Sequence, residues 1–176
     1  ISVILPVLNE EKYLEDSVNS ILSQSFSGAI EVILAVGPSQ DATMQIAKAL
    51  ESRDSRVVVV ENPTGKTAAG LNLAIAASRY AIIVRVDGHS QIPIDYCETA
   101  FQILNETGAV NVGGIMAAEG LSLFERSVAR AMRSPLGVGA SRFHTGGGAG
   151  ELCRGIGLGR RPGCRAGRVA FYRSRI

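Results

Sequence analysis

Asp87 and His89 stand two residues apart, just past the apolar run Ile82-Ile83-Val84 and Val86. Side chains at i and i+2 of an extended segment point the same way, so a carboxylate and an imidazole can converge on one ion there. Gly88 between them leaves room for a bulky ligand close to the backbone. The stretch Ala81–Ser90 reads as a strand buried on both faces that ends in a short polar turn. In open α/β sheets this end of a strand is where ligands bind. A hairpin is the plainer alternative, because Asp-Gly is a strong turn signal. Against it, the residues after Pro93 are helical in pattern and show no second alternating strand.

The elements that must position this turn alternate along the chain. Ser2–Leu5 is a short strand, with Pro6 ending it and Val7–Glu10 forming the turn. Asn9 is placed to cap the next helix, with Glu10 and Glu11 in its first turn. That helix carries Tyr13, Leu14, Val18, Ile21 and Leu22 at helical spacing and runs to about Gln24. Glu31–Val36 is a second strand. A helix with Met44, Ile46, Ala47 and Leu50 follows, with Asp41 as its N-cap or as a ligand. Val57–Val60 is a third strand, Asn62–Gly65 a turn, and Thr67–Ala77 a helix of small residues. The strand to Asp87 is followed by a helix from about Ile94 to Glu106, closed by Thr107-Gly108, and by an apolar strand, Ala109–Met116. Leu121–Arg133 is an amphipathic helix, and Ser134–Gly150 is a Gly-rich loop. Alternating strands and helices predict an α/β fold with a mostly parallel sheet and flanking helices.

Composition narrows the classes. A chain of 176 residues, 46% apolar and 5% aromatic, is an ordinary α/β domain and not a disordered or fibrous one. It shows no signal peptide and no apolar run of about 18 residues. Ile1 already lies in a strand-like run, which reads as a chain lacking its natural start. Cys97, Cys153 and Cys164 show no CxxC spacing, so neither a disulfide framework nor a zinc site is expected. The Rossmann dinucleotide fingerprint is absent, and Gly146–Gly150 follows no predicted strand.

Five segments in order carry a resemblance: Pro6-Val-Leu-Asn-Glu10, Glu31-Val-Ile, Asp41-Ala-Thr43, Ala69-Gly-Leu-Asn72 and Val86-Asp-Gly-His-Ser90. Together they resemble family 2 glycosyltransferases of the GT-A fold, a Rossmann-like three-layer arrangement. Arg85–Ser90 with Phe143-His-Thr-Gly-Gly-Gly148 is similar to the bacterial exopolysaccharide branch, the succinoglycan-type glucosyltransferases. The resemblance covers Ile1 to about Gly150. It implies inverting transfer of a hexose, glucose from UDP-glucose being favoured, to a polysaccharide or lipid-linked acceptor. It also implies Mn²⁺ or Mg²⁺ as cofactor, which would stabilise charge on the leaving diphosphate.

Within that resemblance Asp87 and His89 are the metal-facing pair, and Asp87 with Gly88 borders the donor's ribose or diphosphate. The family's motif is Asp-x-Asp, so His89 is a departure, and one that suits Mn²⁺ better than Mg²⁺. The Pro6–Glu10 turn, through Pro6, Leu8, Asn9 and Glu10, corresponds to the base pocket, with Glu10 as an acceptor for ribose or base. The acids that usually end the second strand are replaced by Val36 and Gly37, so main-chain contacts from Gly37 to Ser39 are the substitute. Lys66 either offsets phosphate charge or is a surface residue at a helix start. Asn72 supports the loops, and Arg85 reaches phosphate or pairs with a nearby acid. The general base is expected beyond the matching region.

The implied organisation is a donor-binding domain over 1–133, a Gly-rich loop into the acceptor side over 134–150, and a tail over 151–176. Through Gly150 there are 11 Lys+Arg against 15 Asp+Glu; from Glu151 onward there are 7 Arg and one Glu. That abrupt Arg/Gly enrichment reads as a frameshifted or otherwise non-native, disordered tail. Two rival functions follow: a nucleotide-sugar-binding module without turnover, and a polyanion binder using the Arg-rich tail. No nucleic acid is expected as partner. The intact protein is expected at the cytoplasmic face of the bacterial inner membrane.

Overall fold

The structure is a computed structural model that describes residues 1–108, 111–113 and 168–171. In chain order the elements are β1 (Ser2–Val7), α1 (Leu14–Leu22), β2 (Glu31–Val36), α2 (Thr43–Arg53), β3 (Val57–Glu61), α3 (Thr67–Ala77), β4 (Ile82–Arg85), α4 (Tyr96–Thr107), β5 (Asn111–Gly113) and β6 (Arg168–Phe171). They form one parallel sheet in the order β3-β2-β1-β4-β6-β5. The predicted α/β alternation is therefore what the chain folds into.

The strands are apolar because both faces are covered. Val3, Leu5, Val7, Val32, Leu34, Val36, Val84 and Val86 pack on one side with Leu14, Val18 and Ile21 of α1 and Ala47 and Leu50 of α2. Cys97 and Ala100 of α4 join that face. Ile4, Ile33, Ala35 and Ile83 point the other way, onto Ala74 of α3. The small residues of α3 let it lie close: a Cβ on Gly70 would come within 3.4 Å of the Ala35 Cβ. The result is three layers, with α3 alone behind the sheet among the described helices.

Several boundaries differ from the sequence expectation. Pro6 does not end β1, which continues to Val7 and pairs Pro6 with Ala35 and Val7 with Val36. The nitrogen of Pro6 faces the β4 side, where pairing has already stopped at Ile4 and Arg85, so its missing N–H costs no ladder bond. Asn9 does not cap α1. It takes a left-handed φ of 55°, and the helix instead starts after Tyr13, with Tyr13 and Leu14 N–H donating to the Glu10 carbonyl. The residue flanking α2 is Ala42, although the Asp41 carboxylate does accept the Thr43 N–H at 3.0 Å. The strand before Asp87 ends in pairing at Arg85, and α4 starts at Tyr96 and closes on Gly108 at φ 66°. The hairpin alternative fails, because a turn and α4 follow β4.

Arg168–Phe171, inside the segment read as a tail, forms β6 between β4 and β5. The rest of 151–176, the helix expected over Leu121–Arg133 and the loop over Ser134–Gly150 lie outside the described residues.

Candidate functional site

The sheet order creates the place for a site. From β1 the chain builds outward through β2 to β3, then returns so that β4 pairs on the other side of β1. The turns after β1 and β4 therefore diverge around a switch point at the carboxyl ends of their strands, where α/β sheets hold ligands. Residues 8–10 and 86–90 meet there.

The turn after β1 is bound to the turn after β2 by reciprocal hydrogen bonds. Asn9 N–H donates to Ser39 Oγ at 3.0 Å, and Gln40 N–H donates to Asn9 Oδ1 at 2.9 Å. Glu10 N–H donates to Thr43 Oγ1 at 2.8 Å, and Glu11 N–H to Asp41 Oδ2 at 3.2 Å. Glu11 Oε2 in turn accepts the Ala42 N–H at 3.1 Å. The Thr43 hydroxyl donates to Asp41. That hydrogen bond, helped by the main-chain N–H groups of Thr43 and Glu11 and opposed by desolvation, holds the Asp41 carboxyl below its ordinary range. Asp41 and Thr43 thus brace the site. Their spacing was visible in the sequence, but its partner 30 residues away was not.

Gly37 is buried where the turns converge. A Cβ on it would meet Leu8 Cδ1 at 3.0 Å and Gly65 Cα at 3.2 Å. The turn after β3 thus joins the rim, and Lys66 follows it, exposed, immediately before α3. The Gly37 N–H is spent on the Val7 carbonyl and the Ser39 N–H on the Gly37 carbonyl, each at 2.8 Å, and Pro38 has none. What main chain 37–39 can offer a ligand is therefore carbonyl oxygen, an acceptor, and not N–H.

After β4, Arg85 follows Ile83 on the α3 face. Its Nε and Nη2 donate to Asp87 Oδ1 at 3.2 and 3.0 Å, with Asp87 14% exposed. Arg85 thus takes the acid-pairing alternative of its two expected roles. The Asp87 carbonyl accepts the Ser90 N–H at 2.9 Å, which closes the turn. The His89 Nδ1 lies 2.8 Å from Glu10 Oε1. The sequence carried no sign of that contact, which spans 79 residues. Asn72 is exposed on α3.

Pro6, Leu8, Asn9, Glu10, Gly37, Ser39, Lys66, Asp87, Gly88 and His89 all lie at this one end of the sheet. Asp87 and His89 share a turn in which Asp87 pairs with Arg85 and His89 with Glu10. Among the described residues no group of three or more His, Cys, Asp and Glu is placed to hold a metal ion. The donor set here is one carboxylate and one imidazole, a partial shell that suits Mn²⁺ when ligand oxygens complete it. A cation would share the Asp87 carboxylate with Arg85.

A depression of about 520 Å³, lined by Phe26, Arg56, Arg79 and Tyr80 among others, lies at the opposite end of the strands. It is remote from this chemistry. Among the described residues no helix is long and apolar enough to cross a membrane.

Comparison with known proteins bears on the family and the fold. The succinoglycan biosynthesis protein ExoA of Rhizobium meliloti (strain 1021) is 34% identical over 148 residues, covering 82% of this chain and 44% of that protein. The uncharacterized glycosyltransferase EpsJ of Bacillus subtilis (strain 168) is 32% identical over 146 residues, covering 82% of this chain and 40% of that protein. The chain thus spans less than half the length of these relatives. Among solved structures, S. aureus TarS 1-349 in complex with UDP superposes with a TM-score of 0.60 at 23% identity, over 69% of this chain and 36% of that one. The same protein in complex with UDP-GlcNAc gives 0.58 at 23% identity, over 69% and 35%. These likenesses place the fold among GT-A proteins. Residues 2–168 match the family described as glycosyl transferase family 2, and the chain belongs to that family.

Proposed function

We propose that this chain supplies the donor-binding half of an inverting, metal-dependent glycosyltransferase of exopolysaccharide assembly. The donor is a nucleotide-diphosphate hexose, with UDP-glucose as first choice. The acceptor is a growing polysaccharide or a lipid-linked glycan, and the place of work is the cytoplasmic face of the inner membrane. The observation that carries this reading is the convergence of the turns after β1, β2, β3 and β4 beside Asp87 and His89, at the sheet's switch point. The membership in family 2 and the likeness to ExoA support it.

In this reading the nucleotide base lies against the Leu8–Glu10 and Gly37–Ser39 turns. Main-chain carbonyl oxygen there accepts from a base N–H, which replaces the acids absent at Val36 and Gly37. Asp87 and His89 would hold Mn²⁺ or Mg²⁺, which would supply positive charge to offset that on the leaving nucleotide diphosphate. Lys66 adds positive charge at the same rim. The space beside Gly88 is taken by the Glu10 side chain and not left open to the donor. The base that deprotonates the acceptor hydroxyl lies beyond the residues assigned here.

Calorimetric titration of UDP-glucose into the chain, with and without Mn²⁺, tests the reading. Binding that requires Mn²⁺ and disappears in Asp87→Ala is expected. A chain that melts cooperatively yet binds neither UDP-glucose nor UDP, with or without Mn²⁺, would refute it.

A further inference from the structure

Glu10 is fixed from both ends. Its N–H is held by Thr43 Oγ1 at 2.8 Å, and its carbonyl accepts from Tyr13 and Leu14 at 3.0 and 2.9 Å. Its side chain is 17% exposed and crosses over Gly88 to reach His89 Nδ1 at 2.8 Å. The crossing depends on the glycine. A Cβ at position 88 would sit 3.0 Å from Glu10 Cγ and 3.5 Å from Cδ, inside the space the side chain uses. Gly88 therefore makes room for the Glu10 side chain, and the space its sequence reading left for a ligand is used by Glu10.

A carboxylate only accepts hydrogen bonds, so a neutral imidazole whose Nδ1 meets it must carry its proton there. The lone pair then falls on Nε2. Carboxylates paired in this way with ligating histidines set the ring's tautomer and its orientation. We infer that Glu10 is a positioning residue that holds the His89 proton on Nδ1 and presents Nε2 as the basic nitrogen toward the donor's cation. This rests on the reading of His89 as metal-facing. It gives Glu10 a different task from accepting a ribose or base hydrogen bond.

The test reads the tautomer first, with neither metal nor donor present. The chain has two histidines, so a His144→Gln background leaves His89 as the single imidazole. Its ¹⁵N shifts are recorded well above the ordinary imidazole pKa. The Nδ1–H form is expected in the parent protein and the Nε2–H form, which solvated histidine favours, in Glu10→Ala. Glu10→Gln keeps an acceptor oxygen and the side-chain volume, so it should retain part of the Nδ1–H population. It also serves if the Ala variant does not fold. Mn²⁺ affinity, followed by the electron paramagnetic resonance of free Mn²⁺, should then fall about 10–100-fold in Glu10→Ala and less in Glu10→Gln. An Nε2–H tautomer in the parent, or the same tautomer in parent and variants, overturns the inference. An Nδ1–H tautomer that shifts with Glu10, in a protein that binds no Mn²⁺, upholds the positioning and refutes the metal reading alone.

Discussion

Glu31 opens β2 with 1% exposure, yet its carboxylate is fully engaged. Oε1 accepts from the Ser2 hydroxyl at 2.6 Å and from the Arg79 N–H at 2.7 Å, and Oε2 accepts from Arg79 Nε at 2.6 Å. Ser2 Oγ in turn accepts the Tyr80 N–H at 3.1 Å. One buried acid thus ties the start of β1, the start of β2 and the segment leading into β4. Glu31→Ala leaves the Ser2 hydroxyl and a main-chain N–H without their acceptor, at roughly 1–3 kcal/mol each. The Arg79 side chain is 63% exposed and returns to water, so it adds little. We expect a loss of about 3–4 kcal/mol, which lowers Tm by about 10 °C in a domain of this size. Glu31→Gln keeps the volume and one carbonyl oxygen and should cost about 1–2 kcal/mol.

Urea unfolding followed by far-ultraviolet circular dichroism measures both variants, since the chain has no tryptophan. The pH dependence supplies a second arm. Burial opposes ionisation of Glu31, but the hydrogen bonds from Ser2 and Arg79 and the Arg79 charge outweigh it and hold its carboxyl below the ordinary value of 4.5. A depressed value in the folded state means that the stabilisation is complete above the unfolded glutamate range. It is lost as pH falls through the folded value. Glu31→Gln should lack that part of the acid slope. Variants within about 0.5 kcal/mol of the parent, well under the cost of one orphaned group, or a Gln variant with the parent's acid slope, would refute the reasoning. Because the latch lies at the far end of the strands from Glu10 and His89, the His89 tautomer should not change.

Thr43→Val preserves shape but removes the acceptor for Glu10 N–H and the donor to Asp41. It should cost about 1–3 kcal/mol and speed hydrogen exchange at Glu10 N–H; unchanged protection there would contradict the brace. Burial pushes the Cys97 thiol up to about 12. In a Cys153→Ser, Cys164→Ser background, Cys97 should therefore resist a thiol reagent at pH 8 until urea unfolds the protein, and stoichiometric labelling of the folded chain would contradict that burial.

The alternation of strands and helices was legible because its signals are short-range. Runs such as Glu31–Val36 and Val57–Val60 need both faces covered, and the small residues of Thr67–Ala77 let a helix lie close on a sheet. The turn at Asp87-Gly88-His89 was legible for the same reason, since strand termination and turn chemistry are properties of a few neighbouring residues. Pro6 was misread because local propensity forbids a ladder bond without saying whether one is needed. The register of β4 against β1 removes the need. Asn9 was misread as a cap because the same side chain serves Gln40, 31 residues on.

The sequence by itself determined which residues are apolar, where the chain turns and which chemical groups stand at strand ends. Only the tertiary structure decided which of those groups meet. Glu10 pairs with His89 across 79 residues, and Glu31 with Arg79 across 48. Those pairings follow from the order β3-β2-β1-β4, which sets the turn after β4 beside the turn after β1 and sends the two latches to opposite ends of the sheet. Strand order is settled by burying both faces of every strand at once, a condition on the whole chain that no local segment carries.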